Sequence, residues 1–289
     1  MKRAIRRFVG SLTGTRKYIF YIALFLICVV AICLGIYAQF FYKYADTDML
    51  MLGNIGSEKT AEEIATLKAN FDDLFTNTVK ETGESEVLID KIYQGKQIVY
   101  TDYSNVLKDE NYYSVNVQVP LINIDNDRIK EINAEIKNEY YDKTRFIMRK
   151  REGNTIYNVS WLAFINGDIL SVAIKASLKE EGTAEKVTIK TYNYDLQRNK
   201  DVSIMDLIES KNTTAAKVQS TIDSDIKTAY TNAKIIAAEY GTLYERDLNS
   251  DIYKVENSEN YFLTADGNIY IVYAYGNKDY TNEMDIIIF

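Results

Sequence analysis

Residues 157–176, YNVSWLAFINGDILSVAIKA, decide the fold. Tyr157, Val159, Trp161 and Ala163 alternate with their neighbours before the pair Asn166-Gly167. Leu170, Val172, Ile174 and Ala176 alternate after it. Successive strand side chains point to opposite faces, so a period of two gives each arm one buried face. Asn-Gly between two such arms is the strongest short-range hairpin signal, because both residues tolerate the backbone of a tight turn. The arms therefore predict an antiparallel hairpin turning at Asn166-Gly167. Residues 187–194 alternate again and predict a third strand of the same meander. Tyr113, Val115, Val117 and Val119 predict a strand that extends it. Pro120 is expected at that strand's end, where a missing N–H does least harm.

Helical periodicity surrounds these strands. Thr60 and Glu63 have the spacing of a capping box, and Ile64, Leu67, Phe71, Leu74 and Phe75 continue one apolar stripe to the break at Thr82-Gly83-Glu84. Ile129, Ile132, Ile136 and Tyr140 line one face of a helix expected over residues 127–150, with Asp125 and Asp127 as N-cap and first-turn acids. Ser203 predicts the cap of a short helix through Glu209. Val218, Ile222, Ile226, Tyr230, Ala233 and Ala237 stripe a long helix over 214–240. Phe262, the Asp266-Gly267 turn and residues 268–275 predict a second hairpin, and residues 286–289 a last strand. Helices packed on antiparallel strands make the class α+β.

Ahead of this domain, no residue from Tyr18 to Phe41 is charged. A helix of that length spans about 36 Å, enough to cross a hydrocarbon core of about 30 Å. Lys2, Arg3, Arg6, Arg7, Arg16 and Lys17 precede it with no acid between them, which predicts a cytoplasmic N-terminus. A cleaved signal peptide fits less well. The apolar run is too long, and Ile36-Tyr37-Ala38 puts a bulky residue where a cleavage site wants a small one. The expected organisation is a cytoplasmic basic tail (1–17), a transmembrane helix (18–42), and a linker with a juxtamembrane helix (43–84). An extracytoplasmic α+β domain (85–289), divisible near residue 200, would follow.

Charge and composition exclude several activities. The chain carries −7 overall and its first 17 residues +6, which leaves −13 for the remainder. Such a domain repels a phosphate backbone, so no nucleic-acid partner is expected. There is no histidine. That removes the usual base of Ser/His/Asp and Cys/His catalysis and the commonest zinc ligand. Cys28 and Cys33 both fall in the apolar run, which leaves the outer domain without a disulfide or a thiol nucleophile. No catalytic residue, metal site or cofactor is expected. Asn123, Asp125 and Asp127 alternate as calcium ligands can, but no glycine is near and Ile129-Lys130 follow.

Two groups of residues come nearest to a binding site. Lys143, Arg145, Arg149, Lys150 and Arg151 crowd the C-terminal end of the 127–150 helix; the helix dipole accounts for them, and an anion site is the alternative. Tyr112, Tyr192, Tyr194, Tyr273, Tyr275 and Tyr280 lie near strand ends and turns, where rings can stack on sugar or peptide, or else complete a sheet face.

The order strand–Pro120–helix, with Val115-Asn116-Val117-Gln118-Val119 and then Ile129-Lys130-Glu131-Ile132-Asn133, joins other recurring elements. These are the Trp161 hairpin, Ser203-Ile204-Met205-Asp206-Leu207-Ile208, and residues 261–270. Together they resemble the exported domain of lysozyme-sensing anti-sigma factors of the RsiV type and of membrane-anchored peptidoglycan deacetylases of the PdaC type. The resemblance implies the fold, an extracytoplasmic place, and binding of a peptidoglycan fragment or a lysozyme-like protein. The chain also departs from both. A basic segment of seventeen residues is too short to hold a sigma factor, the deacetylases' histidine-bearing catalytic domain has no counterpart, and Tyr275-Gly276-Asn277 breaks the pattern. The expectation is a membrane-tethered, non-enzymatic binding or sensing protein of a Gram-positive cell envelope. The alternatives are an accessory subunit of a membrane complex and, third, a carboxylate-dependent wall hydrolase.

Overall fold

Two β-sheets lie face to face, and helices cover the outer face of each. The computed structural model describes residues 59–82, 89–151, 153–240, 243–279 and 281–289. Among them, residues 59–289 form one compact unit. No described helix is long and apolar enough to cross a membrane, and the apolar run at 18–41 lies outside the described residues.

The large sheet runs β2-β3-β4-β5-β6-β7, with β1 beside β4. Its strands are β1 (Val79–Thr82), β2 (Val99–Asp109), β3 (Tyr113–Ile122), β4 (Thr155–Asn166), β5 (Ile169–Lys179), β6 (Lys186–Asp195) and β7 (Lys200–Asp201). The hairpin of residues 157–176 is its centre. Asn166 pairs with Ile169, so the turn residues are Gly167 and Asp168, one position later than expected. Gly167 takes the positive φ of 58°, while the Asn166 amide donates to the carbonyls of Thr264 and Ala265. Strands β4, β5 and β6 form the expected antiparallel meander, and β3 extends it as expected but by a parallel pairing with β4. Pro120 lies inside β3 rather than at its end, beyond the residues that pair with β4 and opposite Thr101, where β2 bulges at Asp102.

The alternation read in sequence now has two destinations. Odd residues of β4, including Tyr157, Val159 and Trp161, face a helix. Even residues Leu162 and Phe164 face the second sheet. Both faces of β4, β5 and β6 are therefore covered along their middles, which is why these strands read as nearly continuous apolar runs. Each fully buried side chain of this size contributes about 2 kcal/mol.

The helical cover is α2 (Asp127–Ile136), a π turn (Lys137–Tyr141) and α3 (Asp142–Lys150). Ile129, Ile132, Ile136 and Tyr140 all reach the core, as their spacing predicts. The N-cap is Asn126, whose side chain accepts from the Arg128 N–H; Asp125 instead pairs with Lys130. The second sheet runs β10-β9-β8, from β8 (Tyr261–Leu263), β9 (Ile269–Ala274) and β10 (Met284–Ile288). Its inner face meets the large sheet through Phe262, Tyr270, Val272 and Ile288. Its outer face carries Ile269, Ile271 and Ile287 beneath α4 (Ile204–Ser210) and α5 (Ala215–Tyr240).

The N-terminal helix α1 (Ala61–Ala69) has the Thr60–Glu63 capping box but stops well before Thr82. A 3-10 turn follows at Asp72–Leu74, and Val79–Thr82 is a strand. Phe71 is buried against Phe262 and Tyr270, so the stripe read as continuous serves the inter-sheet core at its end. Asn77, at φ 56°, fills the gap between β3 and β1 on the edge of β4. Its backbone N–H donates to the Trp161 carbonyl at 2.9 Å, and its side chain accepts from the Trp161 N–H at 2.9 Å.

Candidate functional site

Strand β6 builds the site. Its even residues run Lys186, Thr188, Lys190, Tyr192, Tyr194 on one face. The two tyrosines lie buried beneath the α2–α3 helix, and the three polar residues emerge from under its end. On the helix, the π turn keeps Tyr140 in the buried row. It also brings Lys143 over the Tyr157 ring, with Nζ 5.4 Å from the centroid. Such single wide turns recur at functional sites. The opposite wall comes from the second sheet's flank, with Glu259, Asn260 and Asn277. The result is an open groove of about 560 Å³.

Asn277 holds that wall in place. Its side chain donates to the Ile189 carbonyl at 2.9 Å and accepts from the Ile189 N–H at 3.1 Å, as a neighbouring strand would. The Val187 N–H donates to the Thr281 carbonyl at 3.0 Å. Gly276 lies so close to the Val187 and Thr281 carbonyls that any Cβ would collide with both. Only glycine permits this approach. The Tyr275-Gly276-Asn277 stretch thus closes the open edge of β6.

The groove's charges are mixed, with Lys143, Lys186 and Lys190 against Glu139 and Glu259. Burial, then the Lys186 charge, lowers the Lys143 pKa, while Glu139 and Glu180 pull it back up. Lys143 stays solvent-exposed, so water softens each effect. Burial, followed by the Glu139 carboxylate, pushes the Tyr140 phenol well up. Burial and the same carboxylate raise Tyr157. Among the described residues the Tyr192 hydroxyl has no hydrogen-bond partner. A groove with one cation in excess and phenols in its wall can hold a carboxylate-bearing polar ligand. A lysine with a lowered pKa can also attack a carbonyl, and the Glu139 carboxylate lines the same groove.

The residues singled out in sequence scatter. Among the terminal cations only Lys143 reaches the groove. Arg145 donates to the Tyr141 hydroxyl, Arg149 to the Arg145 carbonyl, and Arg151 pairs with Asp109. Of the two readings of the tyrosines, the completion of a sheet face describes four of the six. Tyr192, Tyr194, Tyr273 and Tyr275 are buried, because both sheets have two covered faces and strand ends lie under helices. Tyr112 alone stays exposed, with Arg151 over its ring, and Tyr280 lies outside the described residues. Asn123 is fully buried and ties down the preceding loop through Tyr93 and Gln97. Asp125 and Asp127 both hold Lys130. Among the described residues no three acids or cysteines gather as metal ligands would. Lys186, Thr188 and Lys190 escaped the sequence reading. Their signal was present, as a polar half on an alternating face that ends in tyrosines.

A second buried polar cluster is fully paired. Arg246 makes a two-pronged contact with Asp285, at 2.6 and 2.9 Å, and Nη1 lies 3.4 Å from Glu283. Tyr275 donates to Asp285, and the Tyr253 hydroxyl lies 2.8 Å from that of Tyr275. Burial and Asp285 together push the Tyr275 pKa far up. With every partner satisfied, this cluster reads as a lock that fixes the 243–250 segment on β10.

Two solved structures are similar to this chain. A DUF3298 family protein from Pseudomonas aeruginosa PAO1 is 10% identical over 70% of this chain and 90% of that one, with a TM-score of 0.39. A DUF3298 family member from Bacteroides fragilis NCTC 9343 is 12% identical over 73% and 92%, with a TM-score of 0.32. The chain matches no family model and no curated protein.

Proposed function

We propose that the chain is a membrane-tethered, non-enzymatic binding protein of the bacterial cell envelope, and that its outer domain holds a carboxylate-bearing peptidoglycan fragment in the β6 groove. One observation carries this reading. In a domain expected to carry −13, Lys143, Lys186 and Lys190 converge on one open groove, outnumbering its Glu139 and Glu259, beside amide and phenol groups. Cations fix carboxylates, and amides and phenols satisfy sugar and peptide polar groups. The tether rests on the uncharged run from Tyr18 to Phe41 and the cations before it. The anti-sigma-factor and deacetylase resemblance supplies the envelope setting.

Calorimetric titration of the full-length protein in detergent with soluble muropeptides tests the proposal. Saturable binding is expected, weakened about tenfold by Lys143→Ala or Lys186→Ala, as the loss of a charge-assisted contact requires. The Lys143 pKa is lowered, so its charge, and with it the binding, is lost at a lower pH than an ordinary lysine would allow. Binding that ignores both substitutions would sink the groove as the site. Binding of a lysozyme-like protein without any muropeptide affinity would move the function to a protein surface.

A further inference from the structure

The groove over β6 has two electrically different sides. On the helix side, Glu139 stands one turn before Lys143, and its carboxylate acts on the Lys143 ammonium. Those two charges oppose each other locally. Lys186 and Lys190 rise from β6, and Glu259 stands on the opposite wall with Asn260 and Asn277. Glu259 is exposed and enters no ion pair with any described residue. It also lines a smaller cavity of about 50 Å³ beside the groove, together with Lys278, Ile252 and Tyr273. Lys143 lies over the Tyr157 ring of β4, β5 and β6 follow, and Asn277 bonds the outer edge of β6. At about 4.8 Å for each strand, the two sides stand roughly 14 Å apart.

We propose that the groove takes a ligand of both signs, with Glu259 receiving a free ammonium group and Lys143, Lys186 and Lys190 receiving carboxylates. The inference rests on the groove being the muropeptide site and names the chemistry that site selects. Three lysines against two glutamates leave the groove with one positive charge in excess. A muramyl tripeptide whose stem ends in lysine carries two carboxylates and one ammonium, an excess of one negative charge. The sums match, and so does their division. Glu139 is already opposed by Lys143, which leaves Glu259 as the groove carboxylate open to a cation. Lysine's four-carbon stem lets each groove cation adjust to where a carboxylate falls. Glu259 is therefore the residue that sets specificity, because it attracts an amine and repels a further carboxylate.

The test is calorimetric titration of the full-length protein in detergent with that muramyl tripeptide, and with the same compound acetylated on its lysine amine. Acetylation removes the ammonium and leaves both carboxylates, so the compound becomes more negative. A groove that only attracted negative charge would bind the acetylated form as tightly or more tightly. The groove proposed here is expected to bind it about fivefold more weakly, as the loss of one exposed ion pair requires. Glu259→Gln is expected to bind the two forms equally, which separates the lost charge from the added bulk. Glu259 is exposed and in no ion pair, so the change does not threaten folding. Lys143→Ala is expected to weaken both forms alike. Equal binding of the two forms by wild type overturns the inference and leaves the groove reading standing. So does a preference for the free amine that survives Glu259→Gln. No binding of either form overturns both.

Discussion

Replacing Asp285 by asparagine tests what fixes the C-terminal strand. The change is nearly isosteric and removes one charge. Arg246 is 7% exposed and Asp285 9%, so the pair sits away from water. Two guanidinium bonds of 2.6 and 2.9 Å hold it, with the Tyr275 hydroxyl on the same carboxylate. In Asp285→Asn the new amide N–H faces a guanidinium N–H, so one of the two bonds is lost and the cation stays buried. Removing one partner of a buried pair costs about 3–5 kcal/mol. Glu283 at 3.4 Å and the Tyr244 carbonyl at 3.1 Å still attend Arg246, which places the loss near the lower end, at about 3 kcal/mol. For a unit of this size that is a fall in Tm of roughly 6–12 °C. Thermal melts of the full-length protein, followed by circular dichroism, measure it. The double variant Arg246→Met with Asp285→Leu removes both charges and is expected to be more stable than Asp285→Leu alone. A loss under about 1 kcal/mol for Asp285→Asn, or simple additivity in the double variant, would refute the reasoning, because either result means the two charges do not depend on each other.

Two further outcomes follow from the same packing. Gly276→Ala drives a methyl group into the Val187 and Thr281 carbonyls, so urea unfolding is expected to show a loss of about 3 kcal/mol; a neutral result would mean the C-terminal stretch does not close the β6 edge. Alkaline pH should unfold the protein cooperatively. Tyr253, Tyr270 and Tyr273 have pKa values pushed up to about 12, mainly by burial, above the ordinary 10.0. The unfolded chain therefore releases protons first, and stability falls as pH rises from about 10 towards 12. Phenolate absorbance should rise in step with the loss of ellipticity, and ionisation of these phenols in the still-folded protein would contradict their burial.

The sequence spoke clearly where a strand or helix has one demanding face. Residues 157–176 gave their hairpin because every second side chain enters the helix-facing core, and α2 gave its buried row for the same reason. The parallel join of β3 to β4 was invisible, because a period of two does not depend on a partner's direction. Strand β2 was missed because it is an edge, half-covered at best, so its odd residues Tyr103, Asn105 and Leu107 need not all be apolar. The expected continuation of α1 failed because residues 71–75 keep a helix-like spacing while packing through a 3-10 turn.

The place of the tyrosines and the absence of the groove from the sequence reading have one cause. Twenty-four tyrosines would make a binding face only if the fold had one sheet with one covered side. Two sheets with helices outside both create three apolar layers instead. Tyrosine suits their margins, because its ring fills the layer while its hydroxyl reaches a polar rim. Tyr275 does so against Asp285, Tyr253 against the Tyr275 hydroxyl, and Tyr261 against the Val202 carbonyl. A usable surface then arises only where a layer ends. On β6 that point falls between Lys190 and Tyr192, where the face changes from lysine and threonine to tyrosine. It is the break in an alternating pattern, and not the abundance of a residue type, that marks the candidate site.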